Sequence, residues 1–390
     1  MKLLILTYDF PYPTTSGGKS RVYNLIKFLK KKDIEIYLLS FIRETYKKKY
    51  DDSLFDIGVT EIYHFKRKKI RSFPVIFKAS ISSKSIFEVL YKDKKVKQKI
   101  MDLIREKDID VILFESFYTS FYISDEIKKM KVRQIFGTEN IEHILYHDFA
   151  IKKSKVAKRI YMSQVAKIKK EEELAYKKSD LILAVSDEEK SYMSKQTKTK
   201  IEVIPNGVDS SYFSFKSHFS GEKKLLFVGN FSYFPNIDAM DFFYKNVFLN
   251  IPNASLTVVG KSQNKLPFLI SDNRVQNIEY AEDLAKVYYD SDIFVFPVRF
   301  GGGTNFKVLE AASCGTPIIA IPNRVNGLGF IPDTHFVEAT SPVDFMRGIR
   351  RLTEDEELQK TITKNARMLI EKKYDWKKIG EKLGTVLEAV

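Results

Sequence analysis

One cysteine, Cys314, stands in 390 residues, so no disulfide can form within the chain and a reducing compartment is its natural setting. Long apolar runs are missing too: no stretch approaches the roughly 20 residues that cross a bilayer. The opening "MKLLILTYDFPYPTTSGG" meets Asp9, Pro11 and Pro13 after only a strand's length of apolar residues, so no export signal is expected. The expected location is the cytoplasm, free or peripheral on the inner face of the cell membrane. No zinc-finger spacing, RNA-recognition aromatic motif or basic heptad occurs, which puts nucleic acid last among partners. No convincing metal cluster, low-complexity segment or solenoid repeat is found either.

Acidic residues are scarce in one half only. Residues 1–200 carry 43 Lys and Arg against 27 Asp and Glu, and the rest carries 22 against 23, so the whole +15 charge sits in the first half. Runs such as "KKK" (47–49), "KRKK" (66–69) and "KKSKVAKR" (152–159) account for much of it. Lysine-rich solvated faces, an anionic membrane surface and an anionic acceptor all fit this excess.

With 44% hydrophobic residues, including 30 Phe and 21 Tyr, the chain has ample material for packed cores, and its length suits two domains of near 200 residues. Short β-branched runs alternate with longer amphipathic stretches. Strands are expected at 2–8, 34–40, 109–115, 132–137 and 180–186, then at 223–229, 254–260, 292–298 and 316–322. Most are continuously apolar, as parallel strands buried on both faces must be. Val22, Leu25, Ile26 and Leu29 recur at helical spacing between the first two. The expected fold is α/β, two Rossmann-like doubly wound domains. The seam falls near "KQTKTK" (195–200), just before a further strand "IEVIP" (201–205), giving a first domain at 1–199 and a second at 200–373, with a last helix, carrying Trp376, over 374–390.

Two glycine clusters carry the chemistry. "TTSGGKSRVYN" (14–24) ends like a nucleotide-triphosphate P-loop, but that motif needs glycine five residues before Gly18, and Pro13 stands there. Proline offers no N–H to a phosphate. Two readings remain: a plain strand-to-helix turn, or an anion site at the amides opening the helix. The second cluster, "RFGGGTNFKVLEAASCGTPIIA" (299–320), reads as loop, helix and strand, with Thr304 as N-cap and Gly315 as stop. Lys307 and Glu310 share a face of that helix, as a surface ion pair would. Yet Glu310 lies about 9 Å along the axis from Thr304, and helical side chains lean back toward the N-terminus. Its carboxylate then lies one sugar ring from an anion held at "GGGTN", where it could accept hydrogen bonds from ribose hydroxyls. Lys307 and Arg299 would add positive charge for a diphosphate.

These stretches, with "SDLILAVSDEEKSYM" (179–193), "VIPNGVDSSYF" (203–213), "LLFVGNFSYFPNIDAMDFF" (225–243) and "SLTVVGK" (255–261), follow one another in the order of a known family. The chain resembles the family 4 retaining glycosyltransferases of the GT-B fold (glycosyl transferases group 1) over nearly its whole length. The resemblance implies two domains facing across a cleft, a final helix packing back on the first, no metal or cofactor, a nucleoside diphosphate sugar as donor and a glycan or lipid-linked acceptor. It implies that Gly17 and Gly18 face the donor phosphates, that Asn230, Arg299, Gly302, Gly303, Thr304, Asn305 and Lys307 surround the diphosphate, and that Glu310 binds the ribose.

Three positions depart from the family pattern. The first acid of its Glu-x7-Glu pair is replaced by Gly302, although a subgroup of the family shows the same loss. The Arg and Lys that often follow the "VGN" strand are missing from "VGNFSYFPN". The histidine of the catalytic region is replaced by Glu139 in "FGTENIEHILYH", with His143 one helical turn further on. Glu139, His143 and Lys307 are therefore the candidate catalytic residues, and for His143 an ordinary helix-surface position is the competing reading. A nucleotide-sugar epimerase, or a catalytically silent homologue acting as partner or scaffold of an active transferase, remains as a rival function.

Overall fold

The computed structural model of the chain describes residues 1–29, 33–68, 79, 82–151, 154–216, 219–300, 305–322 and 325–389. It divides into two units: Met1–Pro205 with Ile379–Val390, and Asn206–Lys378. Each is a parallel sheet with helices in its crossovers, as the continuous apolar runs predict.

The first unit holds seven strands, β1 (Lys2–Thr7), β2 (Glu35–Ile42), β3 (Val59–Lys66), β4 (Val111–Glu115), β5 (Arg133–Gly137), β6 (Leu181–Ala184) and β7 (Lys200–Val203), in the order β3-β2-β1-β4-β5-β6-β7. The order reverses between β1 and β4, which pair in parallel from Leu3–Val111 to Thr7–Glu115. Such a reversal opens a crevice at the carboxyl ends of the strands, where doubly wound folds place their ligands. Helix α1 (Gly17–Leu29) follows β1 and buries Val22, Leu25, Ile26 and Leu29, the expected face. Arg21 is buried with them. Helix α2 (Lys94–Lys107) covers the sheet through Val96, Ile100, Met101, Leu103 and Ile104. After β5 come α3 (Glu142–Ile151) and the long α4 (Lys155–Lys178), which pack on each other, and α5 (Asp187–Ser194) follows β6.

The second unit holds six strands, β8 (Lys224–Val228), β9 (Ser255–Val259), β10 (Val275–Ile278), β11 (Ile293–Phe296), β12 (Ile318–Ala320) and β13 (Val337–Glu338), ordered β10-β9-β8-β11-β12-β13. Its reversal lies between β8 and β11. Helix α6 (Phe234–Asn246) follows β8, and α7 (Phe306–Cys314) links β11 to β12. Gly315 stops α7 in the left-handed conformation at φ 81°, with its N–H returned to Ala311 and Ala312. Helices α8 (Pro342–Glu354), α9 (Glu356–Leu369) and α10 (Trp376–Glu388) complete the chain, and from Ile379 onward α10 belongs to the first unit.

All nine strands expected above are present, and the strand read at "IEVIP" is β7. The expected N-cap of α7 shifts by one residue: Asn305 takes that place, and its side chain does not cap the helix. Thr304 lies outside the described residues, as do Gly302 and Gly303. Among the described residues no helix is long and apolar enough to cross a membrane.

Candidate functional site

In the second unit the sites read from sequence gather at the carboxyl ends of β8 and β11. Lys307 and Glu310 do not form the surface ion pair their spacing allows. Lys307 Nζ donates to the side-chain oxygen Oδ1 of Asn236 at 3.1 Å and lies 5.4 Å from the Phe227 ring and 5.7 Å from the Phe296 ring. Burial lowers its pKa to about 8, against the attraction of Glu310. A cation placed this way is poorly hydrated, so a second anion gains more from it than from a lysine in water.

Glu310 instead accepts a hydrogen bond from the Tyr288 hydroxyl at 2.9 Å, and the same hydroxyl lies 3.2 Å from the Lys307 carbonyl oxygen. Tyr288 is fully buried, so it fixes the carboxylate from below. Burial pushes the Glu310 pKa up while Tyr288 and Lys307 draw it down. Asn236 is fixed in turn, its amide donating to the Asn230 carbonyl at 2.8 Å, while the Asn230 side chain accepts from the Ser232 N–H at 2.8 Å. Asn230 thus joins Lys307 through one intervening side chain. Arg299 holds Asp238 on α6 in a two-pronged ion pair, with Nε at 2.9 Å and Nη2 at 2.5 Å. Its charge is matched within the protein, which leaves Lys307 the main cation at the start of α7.

The first unit carries a cluster of carboxyls. Gly17 opens α1 at the surface; Gly18 sits against Glu139, and a Cβ there would fall 2.5 Å from Glu139 Oε1 and 2.7 Å from the Tyr8 hydroxyl. The close neighbour of the glycine pair is therefore a carboxyl group. Tyr8 donates to the other oxygen of Glu139 at 3.3 Å, while Oε1 is buried and forms no hydrogen bond among the described residues. Burial and the nearby Glu115 raise the Glu139 pKa to about 7, opposed by Arg21 and Tyr8. Such a group gains or loses its proton near neutrality.

His143 is not exposed on the helix surface. It is buried, with Nδ1 2.5 Å from Glu172 Oε2 and Nε2 2.8 Å from the Tyr192 hydroxyl. Glu172 also accepts the backbone N–H groups of Glu142 at 2.8 Å and His143 at 3.0 Å. It satisfies amides at the start of α3 that a helix leaves without partners. Both ring nitrogens of the histidine thus meet partners within the first unit, Glu172 on α4 and Tyr192 on α5.

Two other carboxyls of this cluster are raised chiefly by burial, Glu142 to about 8 with help from Glu172 and Glu139, and Glu189 to about 7. An acid whose folded pKa exceeds its ordinary 4.5 binds protons preferentially in the native state. Stability should therefore be greatest below that value and fall as pH rises through the window to about 8. Lys307, shifted downward, adds an opposite slope only above about 8. We expect the urea midpoint of the full chain to fall across this window, and Glu142→Gln to flatten the fall. A midpoint that rises with pH there would contradict it.

Sequence reasoning did not single out Tyr8, Arg21, Glu115, Glu172, Asn236 or Tyr288. Each acts through a contact with a residue distant in the chain, and no local pattern marks it. Among the described residues no group of three or more His, Cys, Asp or Glu could hold a metal ion.

The Glycosyltransferase Family 4 model matches residues 15–212, and the Glycosyl transferases group 1 model matches residues 222–355. An uncharacterized glycosyltransferase of Methanocaldococcus jannaschii, MJ1178, is 25% identical, covering 97% of this chain and 95% of its own. The capsular polysaccharide biosynthesis glycosyltransferase CapM of Staphylococcus aureus is 30% identical over 34% of this chain and 37% of its own. Among solved structures, the sucrose-phosphate synthase of Thermosynechococcus elongatus superposes with a TM-score of 0.73 at 15% identity, covering 100% of this chain and 99% of that one. The Anabaena protein HepE in complex with UDP superposes with a TM-score of 0.69 at 13% identity, covering both chains fully. The two-domain Rossmann-like fold is the GT-B fold.

Proposed function

The chain belongs to Glycosyltransferase Family 4, and from that premise we propose that it moves a sugar from a nucleoside diphosphate sugar to a hydroxyl of a glycan or lipid-linked acceptor, retaining the anomeric configuration. The observation that carries this reading is the divergence of Lys307 and Glu310 on α7. The cation faces the start of the helix and the carboxylate stands one turn further on, held by Tyr288. A diphosphate and its ribose have the same order and spacing. HepE was solved with UDP and with UDP-glucose, which makes uridine nucleotides the first donors to test.

When the bond between the anomeric carbon and the diphosphate oxygen breaks, negative charge grows on the departing diphosphate. Lys307 is already oriented by Asn236, so it stabilises that charge more in the transition state than in the ground state. The resemblance assigns Gly302, Gly303, Thr304, Asn305 and Asn230 to the same diphosphate; Arg299 contributes only if it leaves Asp238. Gly17 and Gly18 let the chain approach the phosphates closely. Glu139, able to release or take a proton near neutrality, serves the acceptor hydroxyl or the sugar cation. The reading requires no metal and no cofactor. It places the enzyme in assembly of a surface polysaccharide, supported by the names of CapM and of the Klebsiella pneumoniae "44.6 kDa protein in cps region", 22% identical over 97% of both chains.

Glu310→Ala should weaken UDP binding by roughly 1–3 kcal/mol through lost ribose hydrogen bonds. Titration calorimetry reads this directly, and unchanged affinity would remove Glu310 from the nucleotide site. Release of UDP from UDP-glucose that speeds up when acceptor is added separates a transferase from an epimerase or a silent homologue.

A further inference from the structure

The tip of the α3–α4 hairpin exposes apolar side chains that a soluble helix pair would bury. Val156 is 75% exposed and Ile160, one turn on, 62%. On α3, Leu145 and Phe149 share a face, at 39% and 44% exposure. The Phe149 ring packs edge-on against Tyr161, 5.2 Å between centroids, and so joins the two apolar faces. Contiguous exposed patches of this kind mark interaction surfaces.

The charge around the patch is nearly all of one sign. Residues 143–170 contain eight Lys and Arg against a single acid, Asp148. Lys155, Lys158 and Arg159 are exposed, and among the described residues none lies within 4.0 Å of a carboxylate. Several lysines elsewhere in this unit are paired: Lys84 and Lys92 both hold Glu88, and Lys178 holds Asp125. Apolar side chains set among unmatched cations suit a surface that is anionic outside and apolar beneath. A second copy of the same patch would bring like charges together.

We propose that the tip of the α3–α4 hairpin docks on an anionic lipid surface, with Val156, Ile160, Leu145 and Phe149 entering the headgroup region and Lys155, Lys158 and Arg159 meeting lipid phosphates. α3 starts three residues after Glu139 and is ten residues long, so the loop bearing that carboxyl stands about 15 Å from the docked tip, a distance that the extended head of a lipid-linked acceptor could span. The inference stands independently of the donor chemistry.

The test uses the full chain floated with vesicles of phosphatidylcholine alone or mixed with phosphatidylglycerol. Wild type should bind the mixed vesicles and lose binding as salt rises. The exposed pair Val156→Ser with Ile160→Ser should lower the vesicle partition coefficient at least about tenfold, from the apolar groups it no longer buries. Lys155→Glu with Lys158→Glu should abolish the preference for phosphatidylglycerol. UDP affinity, read in parallel, should stay unchanged in both, which keeps a failure of docking distinct from a failure of the nucleotide site. Equal recruitment to neutral vesicles, no recruitment, or variants that bind like wild type would overturn the proposal. So would a dimer in solution that the serine pair dissolves while vesicle binding is absent.

Discussion

Replacing Lys307 with methionine should lower kcat for sugar transfer by roughly a hundred- to a thousand-fold, the loss typical when a pre-oriented group facing developing charge is removed. Methionine keeps the length and apolar stem that lie near Phe227 and Phe296, so the packing survives and only the charge is lost. The effect should fall on kcat more than on UDP affinity, because the cation meets more charge as the diphosphate departs. A pH signature accompanies it. The amine of the free protein, with its pKa lowered to about 8, loses its charge as pH rises through that value. Wild-type kcat/KM should therefore decline on the alkaline side with a midpoint near there. The methionine variant should lack that limb. Steady-state rates across pH check both points, and a variant within threefold or so of wild type would exclude Lys307 from charge stabilisation.

The second large effect concerns stability. Arg21 is fully buried, its Nε 2.5 Å from Glu115 Oε1 and its Nη1 2.9 Å from the Ile204 carbonyl oxygen. One side chain thus ties α1 to the end of β4 and to the segment leaving β7. Arg21→Met strands the Glu115 carboxylate without its partner in a dry site, a change that typically costs about 3–5 kcal/mol. Removing both charges with Arg21→Met and Glu115→Leu should recover much of that loss, because the desolvation cost disappears with the pair. Chemical denaturation of the full chain measures both variants. A single-variant loss under about 1 kcal/mol would overturn this role for the pair.

The sheets were legible in the sequence because their central strands are buried on both faces and read as unbroken apolar runs, as in "KLLILT" and "DIFVF". β3, β10 and β13 escaped the reading. β3 and β10 are partly exposed edge strands whose sequences, "VTEIYHFK" and "VQNI", mix polar with apolar residues; β13 has only two residues. In the same way, Lys307 and Glu310 stood out because helical spacing fixes their common face. Their partners Asn236 and Tyr288 did not, since 71 and 22 residues of chain separate them from the groups they hold. His143 shows the converse. Its place beside Glu139 suggested chemistry, while Glu172 and Tyr192, which occupy both its ring nitrogens, come from α4 and α5.

The discontinuity of the first unit bears on how the chain comes into being. Residues 379–390 belong with residues 1–205, and Gly380 lies so close to α1 that a Cβ there would fall 2.5 Å from Phe28 Cβ. During synthesis the early sheet must therefore remain without its last covering turns until the entire later unit has emerged from the ribosome. The open flank along α1 is a place where a nascent chain would attract a chaperone, and it closes only once residues 379–390 have been made.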